Sequence, residues 1–389
     1  MHLAFLQFGD FAEGWRRWKA GGPETYREQF RSLALVETLS RTHRITVLVF
    51  GQPPGETWLS DRVVARGLDL ALFTGRRAFR AMAGPLGIDL MVTRAASPAA
   101  LAWASGAGVP VLPFLADIFA RGGLRAWWRN RDLARLFQSP VFPCIGNHSL
   151  NASRSLHQVL GLDKARILPW DRAPLPACGA AKTAPGTTRP ARLFYAGALD
   201  PAKGVGDALE AVARLNAREV PVRLRLAGKG DPAPFAAEAA DLGIAAEVDF
   251  LGLIGNDAAR AEMAAADLVL VPSRHDYAEG LPNTLCEALA AHTPVIASDH
   301  PSFASRLKDG DSCAMFAGGD PAALAAAIAR VLGDPALYGR LSANGPTSEA
   351  GLYVGMKWFD MITRFVDDPQ NRTGWTVGHT LDQVEARLA

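Results

Sequence analysis

DLVLVPSRHDYAEGLPNTLCEALAAHTPVIASD, residues 267–299, places two strand-length apolar runs on either side of a Gly-Leu-Pro turn and a short amphipathic stretch. Gly280 relaxes the backbone and Pro282 lacks an amide donor, so the first run cannot continue past them. Pro282 suits the first turn of a helix and Asn283 and Thr284 are cap-type residues, which predicts a helix that begins inside the turn and runs through TLCEALAAH. Glu279 then stands before the helix N-terminus, and Glu287 about one turn inside it. Free amides and the positive end of the helix dipole point from that terminus into the space beside both carboxylates, an environment suited to a phosphate. An ionised carboxylate only accepts hydrogen bonds, so two of them beside a phosphate site suit hydroxyl recognition. A sugar joined to a nucleoside diphosphate presents all of these groups. An ordinary strand-and-helix unit, with Leu285, Ala288 and Leu289 inward and both glutamates solvated, would show the same local pattern; the rest of the chain decides between the two.

Outward from this stretch, DLVLVPS is one of five apolar runs separated by helical segments: ARLFYAG (191–197), VRLRLAG (222–228), EVDFLG (247–252), DLVLVPS (267–273) and TPVIASD (293–299). The earlier part of the chain alternates likewise, through LAFLQF (3–8), ITVLVF (45–50), DLALF (69–73), DLMVT (89–93), VPVLPFL (109–115), VFPCIG (141–146) and ARILPW (165–170). Such alternation predicts parallel sheets with helices on both faces. DRAPLPACGAAKTAPGTTRP (171–190) is rich in Pro, Gly, Ala and Thr, has no apolar period, and reads as a linker. The expected organisation is an N-terminal Rossmann-like domain over 1–172, a linker over 173–190, a C-terminal Rossmann-like domain over 191–345, and a helix and polar tail over 346–389 packing back toward the first domain. Two such domains facing one another would set their strand ends around a cleft, where open α/β sheets take ligands.

Composition narrows the class further. A chain of 389 residues accommodates two domains, and 41 basic against 39 acidic residues leave a net charge of +2, so no bulk field points to nucleic acid. Cys144, Cys178, Cys286 and Cys313 are scattered without metal-ligand or disulfide spacing and read as reduced thiols. An acidic residue comes too early for a signal peptide and no apolar run reaches about 18 residues, so the expected location is cytoplasmic. Nothing in the sequence sets the oligomeric state.

Four motifs, AGGPETY (20–26), YAGALDPAKG (195–204), LAGKGD (226–231) and EGLPNTLCE (279–287), occur in an order that resembles the retaining nucleotide-sugar glycosyltransferases of family 4, in glycosyltransferase group 1, which have the GT-B fold. The resemblance spans nearly the whole chain and is most specific over EGLPNTLCEALAAHTPVIASD. It implies that Glu279 accepts hydrogen bonds from donor-sugar hydroxyls, with the backbone from Gly280 through Leu281 and Pro282 to Asn283 beside the sugar. Glu287 would take the ribose hydroxyls, and Asn283, Thr284 and Leu285 would offer helix-terminal amides to the diphosphate. Lys203 would place its ammonium on the same phosphates as a point charge. Gly197, Gly228 and Leu253 would line the donor, the base lying against LGLIG (251–255), and Gly21 and Gly22 would let backbone approach from the N-terminal domain. The donor would be a nucleoside diphosphate sugar, with UDP or GDP, and no cofactor or metal ion is expected. Read without the resemblance, Lys203 suits a solvated turn and Gly21-Gly22 a plain one. The DGD at 309–311 has metal-binding spacing but sits in a polar turn away from the other motifs.

Two departures stand out. The family often has Gly-Arg-Leu where this chain has Gly197-Ala198-Leu199, so a second cation on the diphosphate is missing. A His-Asp pair is also common where this chain has Ala116-Asp117, which leaves Asp117 as the catalytic candidate there and His148 as an outside one. The resemblance implies transfer of a hexose-type unit to an acceptor hydroxyl, in cell-surface glycan or glycolipid biosynthesis, by same-face substitution with retention. A sugar-nucleotide epimerase of the same architecture and a non-catalytic nucleotide-sugar binding protein are the competing readings. The acceptor, whether glycan, lipid or small molecule, is not legible. GWRRWK (14–19) and GGLRAWWRNRDLARLF (122–137) combine Arg with Trp, which suits either a peripheral membrane contact or an ordinary amphipathic helix.

Overall fold

The computed structural model describes residues 1–186 and 190–389, which divide into two compact units. The first comprises residues 1–24, 28–172 and 354–389; the second comprises 25–27 and 173–353. Thr187, Thr188 and Arg189 of the expected linker, 173–190, lie outside the described residues.

Strands of the first unit are β1 (His2–Phe8), β2 (Arg44–Phe50), β3 (Gly55–Ser60), β4 (Val63–Leu68), β5 (Leu90–Thr93), β6 (Val111–Leu115), β7 (Ile145–His148) and β8 (Ile167–Asp171). The second unit holds β9 (Ala191–Ala196), β10 (Val222–Ala227), β11 (Val248–Gly252), β12 (Leu268–Val271), β13 (Val295–Ser298) and β14 (Ala314–Phe316), and β15 (Met356–Lys357) returns to the first. The first sheet runs β15-β8-β7-β6-β5-β1-β2-β4-β3 and is parallel except for the β3/β4 hairpin. The second, β11-β10-β9-β12-β13-β14, is parallel throughout. Its order reverses between β9 and β12, the point at which doubly wound sheets open a crevice at their carboxyl ends.

Burial explains why these runs are strands. Alternate residues point to opposite faces, and here both faces are covered: Leu193 and Tyr195 of β9 join one apolar cluster and Phe194 the other. Ala4 and Leu6 of β1 are divided from Leu3 and Phe5 in the same way. Removing all but the β-carbon of a fully buried leucine such as Leu270 would cost about 2–5 kcal/mol, because such tightly packed layers relax little around the cavity.

Several elements differ from the sequence expectation. DLALF is a 3-10 turn, Leu70–Phe73, since the Asp69 carboxylate accepts the Ala71 amide at 2.7 Å and starts a turn where hydrophobicity alone suggested a strand. The preceding residues supply the β3/β4 hairpin instead. Residues 335–351 form a helix despite Pro346, started by Asp334, whose side chain accepts from the Ala336 and Leu337 amides. The helix expected within 346–389 is Trp358–Asp367, and the polar tail after it adds one that was not expected, Leu381–Leu388. Residues 173–186 belong to the second unit and are held along it: the Cys178 amide donates to the Ala290 carbonyl at 2.8 Å, and the Lys182 amide to Ser342 Oγ at 2.7 Å. Residues 346–353 likewise stay with the second unit, and 354–389 count with the first.

Candidate active site

β9 and β12 end side by side at the reversal of the second sheet, and each hands over to a short turn. After β9, the chain passes Gly197 and Ala198 into the 3-10 turn Pro201–Lys203, which is capped by Asp200 accepting the Ala202 amide at 2.8 Å. Gly204 closes the turn at φ +76°, and a β-carbon there would fall 2.1 Å from the Pro272 carbonyl oxygen, so only glycine lets Lys203 lie against the end of β12. Gly228, after β10, has φ +154°, and its β-carbon would lie 1.6 Å from the Gly197 carbonyl oxygen. The turn after β10 therefore lies backbone against backbone on the turn after β9, and the Lys203 turn likewise lies close on the end of β12.

Glu279 is buried at this edge. Its Oε2 pairs with Lys203 Nζ and accepts from Ser273 Oγ at 2.9 Å, while Ser302 Oγ donates to its main-chain carbonyl. Lys203 also stands 4.6 Å from the centre of the Tyr277 ring. The side chains of Lys203 and Glu279 are only 13% and 10% exposed, so each charge depends on the other. The separate roles implied by the resemblance, Glu279 on the sugar and Lys203 on the diphosphate, thus begin from side chains bonded to each other. Beneath the turn, His300 accepts the Ser302 amide at Nδ1 (3.1 Å), which leaves its Nε2–H to donate to the Tyr277 carbonyl (3.0 Å). Burial lowers the pKa of this imidazole, against the opposing effect of the Tyr277 carbonyl, and favours the neutral ring that these two bonds require. Tyr195, whose hydroxyl donates to the Ala198 carbonyl at 2.6 Å, is pushed up by burial first and by the Glu279 charge second.

The helix Asn283–Ala290 starts from Pro282, and no side chain caps it. Asn283 is its first residue and Thr284 does not cap: the Thr284 hydroxyl donates to the Ala196 carbonyl at 2.6 Å, tying the helix to the end of β9. The helix-terminal amides of Asn283, Thr284 and Leu285 thus emerge beside the Lys203 turn. Leu281 packs against the neighbouring apolar cluster and Gly280 is half-buried. Glu287 is buried, and its Oε1 accepts from Asn256 Nδ2 at 2.9 Å. It lines a pocket of about 180 Å³ with Gly197, Gly228, Leu253, Ile254 and Thr284. Leu253 is 73% exposed, an apolar surface at the mouth of this pocket.

Gly197, Lys203, Gly228, Leu253 and residues 279–287 are therefore gathered in one place. Gly21, Gly22 and Asp117 belong to the other unit. Gly21 and Gly22 close the helix Phe11–Lys19, their amides donating to the carbonyls of Trp18 (3.0 Å) and Arg17 (2.9 Å). Asp117 follows β6; its carbonyl accepts from Asn147 Nδ2 at 2.9 Å. Its side chain reaches the surface, yet desolvation raises the carboxyl pKa, with Arg129 opposing. The His148 ring lies 4.6 Å from that of Trp170. In the DGD motif, Asp309 pairs with Arg330 and accepts the Met315 amide, and Asp311 accepts from Asn344. Ser273, Tyr277, Asn256, His300 and Ser302 were not anticipated. Ser273 alone had a local signal, as the polar residue directly after an apolar strand.

Two doubly wound parallel units, with a site at the strand-order reversal of the second, define a GT-B protein. Solved structures of the same fold include HepE of Anabaena (TM-score 0.68, 14% identity, 94% of this chain and 99% of that one) and sucrose-phosphate synthase from Thermosynechococcus elongatus (0.65, 16%, 96% and 100%). More particularly, residues 190–334 match the family model "Glycosyl transferases group 1". Among curated relatives, it is 33% identical over 153 residues to a phosphatidyl-myo-inositol mannosyltransferase of Mycobacterium leprae, covering 39% of this chain and 40% of that protein. It is 34% identical over 199 residues to a D-inositol 3-phosphate glycosyltransferase of Geodermatophilus obscurus, covering 48% and 42%. The matches thus span less than half the length of these relatives.

Proposed function

We propose that this protein is a retaining glycosyltransferase of the family 4 type, which moves a sugar from a nucleoside diphosphate sugar to an acceptor hydroxyl without a metal ion. The observation behind this reading is the convergence of the Lys203–Glu279 pair, the uncapped N-terminus of the helix Asn283–Ala290 and the Glu287 pocket on one edge of the second sheet. The nucleoside would occupy the pocket, base against Leu253 and ribose hydroxyls on Glu287. The diphosphate would take the helix-terminal amides and Lys203, which places the sugar toward Glu279. In the reaction the bond from the anomeric carbon to the phosphate oxygen breaks, a bond to the acceptor oxygen forms on the same face, and the acceptor proton passes to the departing phosphate. Lys203 and the amides stabilise charge as it grows on that leaving group.

The relatives' names, which refer to phosphatidyl-myo-inositol and to D-inositol 3-phosphate, support a role in glycan or glycolipid biosynthesis. Among the described residues no helix is long and apolar enough to cross a membrane. Incubation with a panel of nucleoside diphosphate sugars and acceptors, with and without a chelator, tests the proposal. Acceptor-dependent, chelator-resistant release of nucleoside diphosphate is expected, with an α-configured product from an α-configured donor. An isomerised donor, or binding without turnover across the panel, would overturn it.

A further inference from the structure

Outside the donor site, the first unit has an open pocket of about 430 Å³ lined by Thr74, Arg76, Pro98, Trp128, Arg129, Arg131, Asp132 and Arg135. Its walls are the start of the helix Arg76–Ala83, the start of Pro98–Ala107, and the outer face of Leu124–Leu136. Four guanidinium groups share it with a single carboxylate. Asp132 is already taken by Arg76, whose Nη2 lies 2.5 and 2.7 Å from its two oxygens. Arg129 bonds Asn130 Oδ1 at 3.3 and 3.1 Å, and Arg131 lies over the Trp127 ring at 5.4 Å with no carboxylate partner among the described residues. Arg135 has no side-chain partner among the described residues.

Such a surplus of cations raises the free energy of the empty pocket through mutual repulsion and leaves unused hydrogen-bond forks. Arginine forks match the oxygens of a phosphate in pairs, which a lone carboxylate cannot satisfy for more than one of them. The helix Arg76–Ala83 adds to the positive field, since it begins at Gly75 with no side-chain cap. Trp128, 62% exposed, supplies an apolar wall for carbon atoms attached to the phosphate. The volume exceeds that of one inorganic phosphate and falls in the ordinary range for small organic ligands, about 300–1,000 Å³.

From this arrangement we infer that the pocket binds a phosphate monoester or diester, with Arg131 and Arg135 holding the oxyanion and Trp128 covering the organic part. Two sources present this chemistry: a soluble phosphorylated molecule and the headgroup of an anionic lipid. As an anion site the pocket stands apart from the glycosyltransferase reading; only its use as an acceptor subsite rests on that reading.

The test compares wild type with Arg131→Gln/Arg135→Gln and with Trp128→Ala, and it reads binding rather than turnover. Calorimetry with inorganic phosphate and glycerol 3-phosphate forms one arm. Co-sedimentation with phosphatidylglycerol vesicles against phosphatidylcholine vesicles forms the other. Phosphate bound elsewhere is common to all the proteins and cancels in the comparison. Each arginine removed is expected to weaken binding about 10-fold, as for a charged hydrogen bond. Trp128→Ala should weaken glycerol 3-phosphate more than inorganic phosphate. Loss in the first arm identifies a soluble ligand; loss confined to anionic vesicles identifies a lipid headgroup. All three substituted residues are exposed, so the variants are expected to melt as wild type does. Equal binding by wild type and the double-arginine variant in both arms overturns the inference, and it would do so whether or not sugar transfer is found.

Discussion

Replacing Lys203 with alanine strands the Glu279 carboxylate, 10% exposed, with only the Ser273 hydroxyl as a side-chain donor among the described residues. Breaking a buried ion pair from one side costs about 3–5 kcal/mol. Since some solvent reaches both groups, the lower end applies, about 3 kcal/mol. At about 2–4 °C per kcal/mol for a domain of this size, the melting temperature should fall by roughly 6–12 °C. The double variant Lys203→Ala/Glu279→Gln should recover most of that loss, because no unpaired charge stays buried and the new carboxamide oxygen still accepts from Ser273. Glu279→Gln alone frees the ammonium from its competitor, so nucleoside diphosphate affinity should hold or rise while sugar transfer falls. Lys203→Ala should reduce transfer mostly through kcat, since the phosphate charge it stabilises develops as the glycosidic bond breaks. Scanning calorimetry of the three variants, with steady-state kinetics, decides the matter. A Lys203→Ala protein melting within about 1 °C of wild type, or a double variant no more stable than that single one, would refute the argument that the two charges depend on each other.

Glu287→Ala should weaken nucleoside diphosphate binding at least about 10-fold in calorimetry, through lost charged hydrogen bonds to the ribose; wild-type affinity would leave Glu287 as a helix residue paired to Asn256 and no more. Gly228→Ala should abolish nucleotide binding and lower the melting temperature, because its β-carbon meets the Gly197 carbonyl oxygen and backbone must move; an unshifted melt would contradict that contact. His300 has a folded pKa below its unfolded value, so the stability it contributes is present above about pH 6.5 and is lost as pH falls from there toward the folded pKa. The stability advantage of wild type over His300→Asn should therefore shrink on acidification below pH 6.5, and a constant difference between pH 7.5 and 5.5 would argue against a neutral ring under the Glu279 turn.

Much of the fold was legible because parallel strands buried on both faces leave uninterrupted apolar runs, as in LVLV and PVIAS. DLALF misled for a local reason, an aspartate side chain competing for a backbone amide. The Pro335–Gly351 helix was hidden by Gly339, Gly345 and Pro346, whose low helix propensity is outweighed by burial of Leu337, Tyr338 and Leu341 in the second unit's core. Residues 279–287 were readable because turn, helix start and carboxylates are contiguous. The partners of that segment were not: Ser302 and Lys203 reach Glu279 from 23 and 76 positions away, and sequence spacing has no bearing on which side chains a doubly wound sheet brings to one edge.

Asp171, the last residue of β8, accepts the amides of Val354 and Gly355 on one carboxylate oxygen, at 2.8 and 2.7 Å. Apart from residues 25–27, which also count with the second unit, residues 173–353 are therefore topologically an insertion between two positions of the first unit already within hydrogen-bond reach. Closing such a gap needs only a few residues and little loop entropy. A lineage, or an engineer, can accordingly exchange the unit between residues 172 and 354 for another of its kind without re-threading the β-sheet that receives it, and under the proposed function specificity for donor could then be inherited separately from the first unit.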